Sequence, residues 1–163
     1  MGTTKIGRYL NTKGSARTVS DYALVHSSEG AFTKPTRKND GIRLKNGGHG
    51  EKGLQLLNKY NIDYNIVKTY TNGVRVGNIP NHKDKTKRQG INQAWFPKTW
   101  SKKDIRRAGE HVTGLKSNRK AKSGEIIYGN YKGVRVGVIK TNGKIGTVFP
   151  DSDQSKAIRR KTK

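Results

Sequence analysis

The heptapeptide GVRVGNI at 73–79 returns as GVRVGVI at 133–139, and this echo constrains the fold more than any other feature of the chain. Valines flanking an arginine give the period-two pattern of a strand, and a glycine inside a strand marks a bulge or the close approach of a neighbour. Each copy is entered from a turn signal, TNG at 71–73 and YKG at 131–133. Two related β-lobes follow if the echo is structural. The alternative is a common amphipathic strand whose arginine faces water, and seven residues are too few to prove duplication.

The remaining elements gather around these strands. IDYNIVKTY alternates like a strand and runs into TNG as the first arm of a hairpin. GEIIYGNY, GVRVGVIK and KIGTVFP form three strand-like runs separated by YKG and TNG. In GEKGLQLLNKY, Leu54, Leu56 and Leu57 suit one face of a short helix. Ser101, followed three residues later by Asp104, is an N-cap signal, and Ile105, Ala108 and Val112 share a face, so a helix is expected over 102–113. The fold class is α+β, with two small antiparallel β-sheets, a few short helices and a cleft between the lobes. Residues 1–45, with NTKGSARTVSDY and TKPTRKNDG, carry turn formers and little periodicity, and read as a poorly ordered basic arm. The domain spans 46–152, and 153–163 is a frayed basic tail.

Composition limits the partners. Lys and Arg number 35 against 11 Asp and Glu, a net charge of +24, which points to a polyanion. Nucleic acid leads, with an anionic membrane surface or an acidic inhibitor protein behind it. Only 30% of the 163 residues are hydrophobic, so a single domain with a small core is expected. There is no cysteine, which removes disulfides and thiolate metal sites. No apolar run has the length of a membrane span, and MGTTKIGRYL lacks the apolar centre of a signal peptide, so export is expected to depend on something outside this chain.

Four histidines carry the available acid–base chemistry. His26, in the arm, and His111, near a helix end, read as structural or incidental. His49 stands in GGHG, where glycines let backbone and ligand approach closely; the bland alternative is a flexible loop. His82 opens the run NHKDKTKRQGINQAWFP after a strand and a proline, where site residues are often placed; its alternative is a solvated, charge-rich loop. A zinc site is disfavoured by the lack of Cys, of HExxH and of a close acidic pair, and an HNH-type set of His82, Asn92 and His111 fails on spacing. A pair of imidazoles among lysines suffices to cut a phosphodiester without metal. One takes a proton from the attacking hydroxyl, the other gives one to the leaving oxygen, and a lysine steadies the phosphorane. An RNA 2′-hydroxyl needs no activated water, so RNA is favoured over DNA.

GGHG at 47–50, QAWFPKTWSKKDI at 93–105 and GKIGTVFP at 143–150 resemble, in this order, the GGH motif, the FPxxW-helix and the terminal T-x-[YF]-P strand of bacterial EndoU nucleases, which form C-terminal toxin domains of polymorphic secreted toxins. With NIVKTYTNGVRVGN and NHKDKTKRQGINQAWFP, the chain looks most like the toxin tips of LXG proteins. The resemblance covers about 46–152 and implies an EndoU-like fold. It makes His49 the first catalytic histidine and His82 the second. Gln93 stands where many relatives place the catalytic lysine, so that role passes to Lys83, Lys85 or Lys87, with Lys87 favoured. Thr147 matches the hydroxyl residue of the last strand, and Phe149 stands where many members have tyrosine, keeping a ring but losing a hydroxyl. The implied activity is a nuclease toxin, RNA first and DNA second, leaving a 2′,3′-cyclic phosphate. No cofactor is required, and a divalent metal enters only as a stimulator. The implied partner is a cognate immunity protein, expected to be acidic against a +24 surface. The implied route is delivery as the C-terminal part of a larger toxin, acting in the target-cell cytoplasm.

Substrate contacts are expected from Lys83, Lys85, Arg88, Gln93, Trp95 and Phe149. Trp95, Phe96 and Trp100 read either as core and helix-docking residues or as a stacking platform for bases. The basic run from Lys83 through Lys98, Lys102, Lys103, Arg106 and Arg107 is expected to track phosphate. The competing class is a non-catalytic nucleic-acid-binding module, in which charge matters and the histidines do not.

Overall fold

The computed structural model describes residues 17–35 and 41–162. In chain order the elements are α1 (Asp21–Ser28), β1 (Ala31–Phe32), β2 (Leu44–Asn46), α2 (Glu51–Lys59), β3 (Asn65–Thr69), β4 (Arg75–Asn78), β5 (Gln93–Trp95), α3 (Lys102–Gly114), β6 (Ile126–Tyr131), β7 (Val134–Thr141), β8 (Lys144–Pro150) and α4 (Ser155–Thr162). Short 3-10 turns occupy Lys85–Arg88 and Lys116–Asn118. The fold is α+β, as expected. β1 pairs with β2, and two antiparallel three-stranded sheets have the orders β3-β4-β5 and β6-β7-β8.

The sequence echo has a structural meaning: VRVG forms the central strand of each three-stranded sheet, β4 in one and β7 in the other. Neither arginine faces bulk water. Arg75 is ion-paired to Glu51 at 2.7 Å, and Arg135 to Asp151 at 2.8 Å. The valines on either side point inward, because alternate strand residues share a face. Val74 and Val76 of the first sheet meet Val134, Val136, Val138 and Val148 of the second in one core, joined by Ala23 and Leu24 of α1 and by Ile105, Ala108 and Val112 of α3. Trp95 points the opposite way from its neighbours Ala94 and Phe96. It packs with Leu44, Leu54, Leu57, Ile62 and Ile79 in a second core behind the first sheet.

α3 starts at the expected cap. Ser101 accepts the Asp104 amide and the Asp104 carboxylate accepts the Ser101 amide, satisfying two donors that a helix start leaves open. Phe96 and Trp100 stack at 4.9 Å ahead of this helix, and both are buried. This is the core and helix-docking role.

Two boundaries are corrected. Residues 19–32 and 41–46 belong to the folded body rather than to a loose arm: Val19 and Leu44 are fully buried, and α1 is capped by Ser20, whose Oγ accepts the Ala23 amide at 3.0 Å. The expected arm over 1–16 and 36–40 lies outside the described residues. The basic tail is helical as α4, with Ala157 buried, because Gln154 turns the chain back by hydrogen bonding to Asn72 and Arg135.

Candidate active site

The GGHG loop is fastened to the end of α1. The amides of Gly48, His49 and Gly50 donate to the carbonyls of His26, Ser27 and Ser28, at 3.0, 2.6 and 3.0 Å. These carbonyls are the acceptors that a helix end leaves free. Gly47 and Gly48 have φ of 69° and 76°, and a Cβ on Gly47 would lie 2.1 Å from the His26 carbonyl oxygen, so the docking requires glycine. The loop holds His49 buried, with its carbonyl accepting the Phe96 amide at 2.7 Å. Its Nδ1 lies 2.8 Å from the Ala94 carbonyl oxygen. A carbonyl only accepts, so Nδ1 carries the proton and Nε2 keeps its lone pair.

His82 is held in the opposite tautomer. The Asp84 amide donates to its Nδ1 at 2.8 Å, which leaves the ring proton on Nε2. Nε2 is buried and has no hydrogen-bond partner among the described residues. Arg88 Nε and Arg43 Nη2 both donate to the His82 carbonyl, at 2.7 and 3.3 Å, and fix the backbone. Burial first, and the Lys87 ammonium second, hold both imidazoles well below their usual range: His49 at about 3 and His82 at about 4. Both are neutral near pH 7.

Lys87 comes from the 3-10 turn after His82, and its Nζ donates to Gln93 Oε1 at 3.2 Å. Gln93 is fully buried, and its Nε2 donates to the Gly47 carbonyl at 3.4 Å, so the amide links the lysine to the histidine loop. Burial lowers the Lys87 pKa, only partly opposed by Asp84.

His49, His82, Lys87, Thr147 and Phe149 line one cavity of about 330 Å³. The sequence reading placed all five at the site. It missed His26, which projects from α1 into the same cavity, with Nε2 3.1 Å from Thr147 Oγ1. Burial, then Lys87, lowers its pKa as well. His26 therefore belongs to the site; its apparent isolation came from treating α1 as arm. Tyr128, Asp84 and Asp151 complete much of the wall. Phe149 reaches it across Gly137, whose missing Cβ would lie 2.5 Å from the ring.

Other expected contacts are not brought to the cavity. Trp95 is fully buried in the second core and cannot stack on a base. Gln93 braces Lys87 and Gly47 instead of lining the cavity, and Arg88 supports the His82 carbonyl. Lys83 and Lys85 are exposed outside the lining. On α3, Lys102 and Arg106 are ion-paired to Glu29 and Asp21 and lie outside the lining of the cavity. Among the described residues, no group of three or more His, Cys, Asp or Glu converges as a metal site, and no helix is long and apolar enough to cross a membrane.

No curated protein and no solved structure matched the chain. The family model of the bacterial EndoU nuclease matches residues 20–152, a span that begins at the cap of α1 and ends just after β8. That span contains every side chain of the cavity, with His26 and Thr147 near its two ends, and by this match the chain belongs to the bacterial EndoU nuclease family.

Proposed function

We propose that the chain is a nuclease toxin that cleaves RNA without a metal and leaves a 2′,3′-cyclic phosphate. The observation that carries this reading is the opposed pair of imidazole tautomers, fixed by the Ala94 carbonyl and the Asp84 amide, beside the half-buried Lys87. His49 offers Nε2 to take the proton of an attacking 2′-hydroxyl. A pKa of about 3 makes it a weak base in the free protein. A phosphodiester anion offsets the Lys87 charge and raises it toward the working range.

His82 offers its Nε2 proton to a non-bridging phosphate oxygen, which supplies the acceptor it lacks. The sequence suggested that a protonated second imidazole acts as the acid. Because Nδ1 of His82 is already accepting the Asp84 amide, we assign the acid role to Lys87, whose proton burial has loosened. The 2′-oxygen bonds to phosphorus, the 5′-oxygen leaves with the Lys87 proton, and the 2′-proton ends on His49. Thr147, held by His26, positions a phosphate oxygen, and Phe149 offers a ring face to the base.

The reading includes an acidic immunity protein that masks the basic surface, and delivery into a target cell as part of a larger, LXG-like toxin. Its test uses tRNA, total RNA and plasmid DNA, each with EDTA or with divalent metal. RNA cut in EDTA with cyclic phosphate ends is expected. His49→Ala should lower the rate at least about 10²-fold while nucleic-acid binding persists. Cleavage confined to DNA, or dependent on metal, overturns the mechanism.

A further inference from the structure

A second cavity, of about 650 Å³, opens beside the first. The two share His26, Lys45, Asn46 and Thr147 in their walls, so the second cavity adjoins the one proposed to cut the phosphodiester. The second part is walled by α1 and by the turn joining β7 to β8. It differs from the first in charge. Asp84 and Asp151 line the first cavity, whereas no carboxylate lines the second, which presents Lys45 and Lys144 with the amides of Asn46 and Asn142. None of these four side chains is engaged in a hydrogen bond or ion pair among the described residues. The one acid on the adjoining turn of α1, Asp21, is already paired with Arg106.

Tyr22 stands on the wall of this second cavity. It is 80% exposed, unlike the aromatic side chains packed into either core, and no other ring packs against it among the described residues. A large ring held bare by a helix, in the wall of a cavity that also presents two unpaired cations and adjoins the proposed catalytic one, has the composition of a single-strand stacking platform. Duplex cannot use it, because its bases are stacked on one another.

We propose that this second cavity is a subsite for the nucleotide one step beyond the two that flank the scissile phosphate: Tyr22 stacks on its base and Lys45 and Lys144 hold the adjoining phosphates. The proposal rests on the nuclease reading of the first cavity. It makes the enzyme dependent on one extra nucleotide on one side of the cut, and poor on paired strands.

The test has two arms. In the binding arm, fluorescently labelled single-stranded oligonucleotides with 2′-O-methyl riboses, which are not cut, are titrated against the full chain. Tyr22→Ala should weaken binding about tenfold, and Tyr22→Phe should restore it. Lys144→Ala should lower the slope of log affinity against log salt by about one. In the cleavage arm, a dinucleotide is compared with trinucleotides extended on either side. The wild type should gain at least about tenfold in kcat/KM from one extension only, and in Tyr22→Ala and Lys144→Ala that gain should shrink to within about twofold. Equal binding of duplex and single strand, or variants that keep the full gain and affinity, overturns the subsite. If the wild type binds as described and cuts nothing, the nuclease reading fails and the subsite stands.

Discussion

In the first large sheet, the strand glycine Gly77 makes room for backbone: a Cβ there would lie 1.7 Å from the Asn65 carbonyl oxygen of β3. In the second, the equivalent Gly137 makes room for the ring of Phe149 at the cavity. The arginines part in the same way. Arg75 reaches into the first turn of α2 to Glu51 and also donates to the Phe96 carbonyl, tying together the two segments that flank His49. Arg135 pairs with Asp151 and lies 4.4 Å over the Tyr128 ring, both of which line the cavity. One VRVG strand holds the scaffold and the other shapes the wall of the cavity. The same four letters therefore report a strand, and what a missing Cβ admits decides its use.

Exchanging the glycines should separate these roles most strongly. Gly77→Ala forces β3 away from β4 and should cost about 4 kcal/mol or more of stability, read by urea unfolding. Gly137→Ala should displace only the Phe149 ring, costing about 1–2 kcal/mol while RNA cleavage falls further than stability does. Equal losses of stability in the two variants would erase the distinction.

The arginines provide a milder version. Arg75 has an 11% exposed side chain, and Arg75→Ala strands Glu51 and the Phe96 carbonyl, at an expected cost of about 3 kcal/mol. Arg135→Ala leaves a partly exposed Asp151 beside the substrate surface and should cost about 1 kcal/mol, with a larger effect on KM than on melting.

The most gradual effect is a dependence on pH. His49 ionises near 6.5 when unfolded and at about 3 when folded. Its stabilising contribution is full above pH 6.5 and is lost as pH falls toward 3, because the unfolded chain takes up the proton first. Between pH 7 and pH 5 this amounts to about 2 kcal/mol, and His49→Gln should flatten the pH dependence of the unfolding midpoint by that amount. An unchanged slope would mean that His49 is hydrated in solution.

The strands and α3 were legible because their signals are local: a turn triplet between alternating runs, and Ser101 with Asp104 at a helix start. α1 was not, because it buries Ala23, Leu24, Ser27 and Ser28 while Tyr22 and Val25 stay exposed, so it has no apolar stripe. Its one local signal was the pair Ser20–Asp21, a cap with an acid in the first turn. Missing α1 cost the assignment of His26, whose partner Thr147 is 121 residues away. Trp95 was misplaced for a subtler reason. In a sheet covered on both faces, neighbouring aromatic residues enter different cores, and nothing in the sequence says that a second core lies behind.

The Ser27 hydroxyl accepts the Val148 amide of β8, so the same turn of α1 that holds the GGHG loop also holds the final strand. A chain emerging from the ribosome contains His49 long before it contains Thr147 and Phe149. The cavity therefore cannot close until β8 has been synthesised and has threaded back to the first helix. Nuclease activity should therefore appear only once the last strand has arrived, and chains arrested before Lys144 should show no cleavage.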